Sequence, residues 1–246
     1  MTSISYADTP FQVRADIVAA HGRAWERLAR AGTWWTGRER VAIAAEARDA
    51  WACRLCRERN DSVSPSAAEG THEQGDVLTA PVVDAVHRIA TDPGRLTERW
   101  YHDVLDAGVA DAAFVELVGV VANVVAIDTF ARAVGAPEPE LPAALPGDPP
   151  RLRPAAARVQ GHWVPSIAEA DATGVLADLY GGASLVPNIR RALSLVPAET
   201  RAFTDLGETM YLPLEKLMDL EYARAIGRPQ IELIAARVSA LNQCFY

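Results

Sequence analysis

Residues 36–60 read TGRERVAIAAEARDAWACRLCRERN. Thr36, with Glu39 three positions on, is a capping box: the hydroxyl can accept from the N3 amide while the glutamate reaches back to the cap. The helix it opens should continue to about Asn60. Cys53 and Cys56 would then lie near its carboxyl end, three residues apart and on one face. This stretch is helical in every feature, and the segments on either side of it are punctuated in the same way.

Upstream, Thr9-Pro10-Phe11-Gln12 reads as a cap, a first-turn proline and a capping-box glutamine, opening a helix that runs to about Ala31. Downstream, Ser64 to Gly75 is polar and turn-rich, a loop. Pro81 starts another helix that ends before Asp92-Pro93-Gly94. Two more follow, near Leu96–Ala107 and Asp111–Val134, the latter closed by Gly135. Between Ala136 and Pro165 fall eight of the sixteen prolines of the chain. Such a segment cannot be helix and should run extended as a semi-rigid connector. Beyond it, helices are expected over Ile167–Tyr180, Pro187–Leu195, Pro197–Tyr211, Pro213–Ile226 and from Pro229 onward. The last of these carries Ile231, Ile234, Val238 and Leu241 as an apolar stripe toward a core. No run of alternating β-branched residues is bounded by hairpin turns, so the expected class is all-α. The connector divides the chain into residues 1–135, 136–165 and 166–246.

The composition is that of a globular protein with a core: of 246 residues, 50% are apolar and 23% charged. A net charge of −8 argues against nucleic acid or an anionic membrane as the main partner. Phe114 to Ala131 is apolar enough to raise the question of a membrane span. It contains Glu116, Asn123 and Asp128, and reads instead as the central helix of a soluble bundle. The amino terminus has no basic region followed by an apolar run, so no secretory signal is expected. Three cysteines, only two of them closely spaced, do not make a secreted disulfide framework and point to a reducing, cytoplasmic setting.

Cys53-Arg54-Leu55-Cys56 supports two readings. A C-x-x-C pair can close a small disulfide, with one thiol of lowered pKa and the other resolving its product. Arg54, Arg57 and Arg59 would favour a thiolate, whereas the carboxyl end of a helix would oppose one. Alternatively both cysteines are small buried apolar residues. As a zinc signal the pair is incomplete, since a structural site wants four ligands. Glu46, two turns before Cys53, is a candidate proton acceptor, or merely a solvated glutamate. His72, in the loop after the cysteine helix, could fold back over the thiols. His87, on an apolar helix, reads as a packed core histidine.

The carboxyl-terminal stretch places Glu232 twelve positions before Cys244. Together with Val186-Pro187-Asn188, Arg191-Ala192 and Val196-Pro197, it resembles the signature of the alkylhydroperoxidase and carboxymuconolactone decarboxylase superfamily. That signature is a glutamate, eleven residues, a cysteine, two residues, a second cysteine, and a histidine four positions on. The resemblance spans roughly 176–246 and matches Glu232 to the family's relay glutamate and Cys244 to its resolving cysteine. Because the sequence stops at Tyr246, where the peroxidatic cysteine should follow, this unit is either a fragment or unable to turn over. Residues 34–135 resemble the family more loosely. There both cysteines are present, but Val41 stands in place of the glutamate and Asn60 in place of the histidine, with Glu46 and His72 as candidate substitutes.

The resemblance implies two helical units that reduce hydroperoxides with thiols. Cys56 would be peroxidatic and Cys53 resolving, with an external dithiol as reductant. It implies no metal or organic cofactor, and an assembly of several copies of the chain. Two other activities fit the same family: a thiol-independent lyase acting on a small carboxylate, and a non-catalytic oligomerisation protein.

Overall fold

The computed structural model describes residues 4–73, 75–181, 186–242 and 244. Helix makes up 54% of the structure, and among the described residues the only β pairing is two isolated bridges, so the all-α expectation holds. Among the described residues six α-helices lie before the connector: α1 (Ala15–Ala29), α2 (Gly37–Asp49), α3 (Arg54–Asp61), α4 (Ala80–Thr91), α5 (Glu98–Asp106) and α6 (Asp111–Ala133). Beyond it come α7 (Asn188–Arg191), α8 (Pro197–Met210) and α9 (Arg228–Leu241). The capping box at Thr36 forms as read, with both reciprocal hydrogen bonds present.

The core is built around α6, which packs against α1, α2, α4 and α8. By length and composition α6 could cross a membrane, yet here Leu117, Val120, Val121, Val124 and Ile127 are all buried among the surrounding helices. Each such side chain contributes about 1.5–3 kcal/mol on leaving water. The acids of α6 are paired, as buried carboxylates must be. Asp128 accepts two hydrogen bonds of 2.8 Å from Arg48 of α2. Glu116 accepts from the Thr33 and Trp34 amides at 2.8 and 2.7 Å and from Arg40 Nη1, which also donates to Glu199 of α8 at 2.8 Å. Glycine makes room for this cluster: a Cβ on Gly32 would fall 1.8 Å from Glu116 Oε1, and one on Gly119 would fall 2.5 Å from Glu199 Oε2.

Residues 136–153 are free of helix, as their prolines require, and are laid along the first helices. The Leu145 amide donates to Ala29 O and the Arg151 amide to Thr33 O, each at 2.7 Å, while Trp25 Nε1 reaches Glu140 O at 2.8 Å. From beyond this strap, α8 returns to α1 and α6, and Asp205 pairs with Arg23 and Arg27 of α1. One continuous apolar core therefore runs from Ile4 to Leu206.

Several helix boundaries differ from the sequence reading. The first helix starts at Ala15, because the Thr9 hydroxyl donates to Tyr6 O and Phe11 O instead of capping an amide. The 167–180 segment holds only the 3-10 turns 169–171 and 174–176, interrupted at Gly174 in the left-handed region (φ +59°). In 213–226 there is one 3-10 turn. The Arg228 guanidinium takes the carbonyls of Lys216, Leu217 and Asp219, which a helix would have used internally. The stripe on α9 does not face a core: Ile234, Val238 and Leu241 are 56%, 50% and 64% exposed. Apolar period shows that a helix has an apolar face and does not say what covers it.

The correction that matters most for function is at residues 50–53. The single helix expected from Thr36 to Asn60 is two helices. The end of α2 tightens into i→i+3 bonds, from Trp51 N to Arg48 O, Ala52 N to Asp49 O and Cys53 N to Ala50 O. Cys53 is then extended (φ −64°, ψ 129°) and α3 starts anew at Arg54. Arg57 caps the carbonyl of Ala52 at 2.6 Å. No glycine or proline dictates this break. It occurs where the cysteines meet two histidines from later in the chain, and those tertiary contacts outweigh the small helical preference of four residues.

Candidate functional site

The break reverses the electrostatic setting expected for the cysteines. Cys53 is the N-cap residue of α3 and Cys56 lies in its first turn. Both thus sit at the positive end of a helix, where a thiolate is favoured, and not at the negative end. The sulfurs belong to cysteines 3.7 Å apart, and both thiols are free. Cys53 is partly exposed and Cys56 buried.

Each sulfur meets its own histidine. His72, from the loop between α3 and α4, brings Nδ1 to 3.3 Å from Cys53 Sγ and 3.9 Å from Cys56 Sγ. Its Nε2 donates to Asp84 Oδ1 at 3.0 Å, and Arg59 holds the same oxygen at 2.6 Å. His87, three residues after Asp84 on α4, brings Nδ1 to 3.3 Å from Cys56 Sγ. Its Nε2 donates to Glu46 Oε2 at 3.1 Å, and the other Glu46 oxygen accepts the Gly75 amide at 3.1 Å. The two rings lie 4.2 Å apart.

Similar surroundings shift the two histidines in opposite directions. Burial lowers the His72 pKa, but the hydrogen bond to Asp84, those to the two sulfurs and the Asp84 charge outweigh it and lift it to about 10. His87 is pushed below its ordinary range by burial and by the charge on His72, against the pull of Glu46. Asp84 stays ionised. Burial raises its pKa, yet His72 and Arg59 hold it well below the usual carboxylate range. At neutral pH, His72 is an imidazolium that donates to both Cys53 and Asp84. His87 is neutral and donates to Glu46, which leaves its Nδ1 as an acceptor facing Cys56 Sγ. Burial raises the Cys53 thiol, but the hydrogen bond from His72, the nearby Cys56 amide and side chain and the His72 charge bring it below its ordinary value. The two sulfurs therefore face ring nitrogens of different character, a charged donor at Cys53 and a neutral ring at Cys56. An open cleft of about 610 Å³, walled by Gly70, His72, Asp84, Trp100 and Val104, lies on the His72 side of the cluster, and neither cysteine lines it.

Of the residues singled out in the sequence, Cys53, Cys56, Glu46 and His72 come together here. Glu232 does not: it accepts from Tyr211 and Arg228 at the start of α9. Cys244 is exposed, and among the described residues neither of these two hydrogen-bonds to the cysteine–histidine cluster. Asn60, in the position of the family's histidine, points to Thr91 O at 3.4 Å. Sequence reasoning missed the part taken by His87, read as a core histidine, and missed Asp84 altogether. His87 is buried, at 1% exposure, and is part of the cluster as well. The available signal was the spacing of Asp84 and His87, which puts a carboxylate and an imidazole on one face of α4 within reach of a C-x-x-C pair. The four donor atoms Cys53 Sγ, Cys56 Sγ, His72 Nδ1 and His87 Nδ1 lie within 4.8 Å of one another, close enough to share one metal ion. No family model, curated protein or solved structure matches the chain.

Proposed function

We propose that the chain is a thiol-dependent peroxidase that reduces hydroperoxides through Cys53 and Cys56, in the manner of the alkylhydroperoxidases its sequence resembles. The observation that carries this reading is the pairing of two free thiols, within 4.8 Å of each other, with two histidines that are each backed by a carboxylate. Cys53 is the nucleophile. Its sulfur attacks one peroxide oxygen, the O–O bond breaks, and Cys53 becomes a sulfenic acid. The departing alkoxide takes the His72 proton and leaves as an alcohol. Cys56 then gives its proton to His87, which Glu46 orients, and its thiolate attacks the sulfenic sulfur. Hydroxide leaves, takes the proton back from His87 and departs as water, and Cys53 is joined to Cys56. An external dithiol supplies two electrons and two protons to reset the pair.

The roles of the cysteines are exchanged relative to the order that the family resemblance implies. Exposure is the reason: a peroxide can reach the partly exposed Cys53, whereas Cys56 is 3% exposed. Glu232 and Cys244 take no part in this scheme. The test uses the full chain, reduced and stripped of metal, treated with one equivalent of an organic hydroperoxide. Trypsin separates the cysteines, since Arg48, Arg54 and Arg57 flank them. The expected product links the Cys53 and Cys56 peptides and leaves Cys244 reduced. In Cys56→Ser the resolving step is lost and a carbon nucleophile should trap a sulfenic acid on Cys53. Recovery of both cysteines reduced from folded protein would overturn the reading.

A further inference from the structure

The same four side chains have a second use that needs no peroxide. We propose that Cys53, Cys56, His72 and His87 form a closed tetrahedral site for one zinc ion, filled when both cysteines are reduced. A tetrahedral zinc with sulfur at ~2.3 Å and nitrogen at ~2.0–2.1 Å has ligand–ligand edges of about 3.3–3.8 Å. The edges between these donors include 3.3, 3.3 and 3.9 Å, and none exceeds 4.8 Å. Closing the set around an ion therefore asks for side-chain shifts of about an ångström or less.

The orientation of the donors is as informative as their spacing. Both histidines turn Nδ1 to the centre and give Nε2 to a carboxylate, His72 to Asp84 at 3.0 Å and His87 to Glu46 at 3.1 Å. Outer carboxylates of this kind fix the ring and the tautomer of metal-ligating histidines and raise their basicity. Each carboxylate is itself held, Asp84 by Arg59 and Glu46 by the Gly75 amide. Three of the donors stand on the first turn of α3 or on α4, and only His72 comes from a loop. Two thiolates and two neutral imidazoles in a tetrahedron select zinc over the harder divalent ions, which prefer six oxygen ligands. On binding, the two cysteines enter as thiolates and His72 as neutral imidazole, so the protons these groups carry are released to solvent. The two thiolates balance the charge of the ion. This site does not depend on the peroxidase reading. If both are correct they exclude one another, because a sulfur bonded to zinc cannot attack and a disulfide cannot ligate.

The test uses the reduced full chain, stripped with a chelator and titrated with zinc against a chromophoric competitor, with no peroxide present. One equivalent should bind per chain, stoichiometrically at micromolar protein. Cobalt added in place of zinc should give the intense visible bands of a tetrahedral ion together with thiolate-to-metal charge transfer. Cys53→Ser and His87→Gln should each weaken binding at least about a hundredfold. Glu46→Gln and Asp84→Asn, which leave every ligand in place, should weaken it about 10–100-fold without changing the stoichiometry. Cys244→Ser should change nothing. If a ligand variant fails to fold, X-ray absorption of the zinc-loaded wild type decides alone, and two sulfurs with two nitrogens are expected. A pale octahedral cobalt spectrum, a first shell lacking sulfur, or an affinity unaltered by Cys53→Ser would overturn the proposal. None of these outcomes bears on whether the metal-free thiols reduce a peroxide.

Discussion

Replacing His72 by glutamine isolates the contribution of one positive charge to one sulfur. In the metal-free reduced protein, His72 Nδ1 stands 3.3 Å from Cys53 Sγ. Unit charges at that distance attract by about 1.3 kcal/mol in a water-like dielectric and about 5 kcal/mol at an effective dielectric of 20. Cys53 is partly exposed, so the lower figure governs. At fixed pH that energy corresponds to a change of up to about tenfold in thiolate fraction, reached where the group is mostly thiol. His72→Gln should therefore slow the alkylation of Cys53 by iodoacetamide at pH 7 by up to about tenfold. Cys56, buried against the neutral His87, should remain the slower of the two cysteines. The assay quenches the reaction at short times and quantifies the alkylated Cys53 and Cys56 peptides by mass spectrometry, with circular dichroism as the check on folding. If Cys53 in a folded His72→Gln chain reacts as fast as in the wild type, His72 is not what activates it. If Cys56 is the faster thiol in the wild type, the assignment of roles is wrong.

Two further outcomes concern the framework that holds the site. Arg40→Met leaves the buried carboxylates of Glu116 and Glu199 without their guanidinium, and breaking a buried pair from one side costs about 3–5 kcal/mol. For a chain of this size that lowers the melting temperature by roughly 10 °C, and a loss under about 1 kcal/mol in urea unfolding would refute the assignment. His21 is fully buried, accepts or donates at Tyr6 Oη across 2.7 Å, and is pushed down by burial to about 4. Between pH 6.5 and 4 the unfolded chain binds a proton that the folded chain refuses, so stability falls as pH drops through this window and levels off below it. The gap from 6.5 to about 4 is worth roughly 3 kcal/mol, and the stability profile of His21→Gln should be shallower by about that amount over the same range.

The helical class was legible because local signals sufficed for it. The Thr36–Glu39 box and the first-turn prolines of α8 and α9 mark helix starts by chemistry that acts within four residues. What was not legible depends on distant partners. The segment 50–53 leaves the helix for contacts with His72 and His87, and the carbonyls of 216–219 are claimed by Arg228. The apolar neighbours of His87 announced its burial correctly, but burial does not reveal what a ring nitrogen faces. Glu46 and His72 could be nominated from proximity to the cysteines along the chain. The spacing of Asp84 and His87 put both on one face of α4, but that this face meets the cysteines shows only once α4 lies beside α3.

The cluster of Arg40, Glu116 and Glu199 also has a bearing on the order of assembly. Its members are separated by 76 and 159 positions, and the last of them is carried by α8. A chain emerging amino end first can pair Arg40 with Glu116 well before residue 199 is made. Until α8 arrives, the faces of α1 and α6 that it covers stand open, and the ion pair beneath is bathed in water, where such a pair contributes little. The closing of α8 seals these faces and turns the pair into a dry cluster. A ribosome stalled beyond the connector thus holds a half-built bundle whose uncovered apolar surface invites association with other chains, so the synthesis of this protein is at its most vulnerable just before its eighth helix is complete.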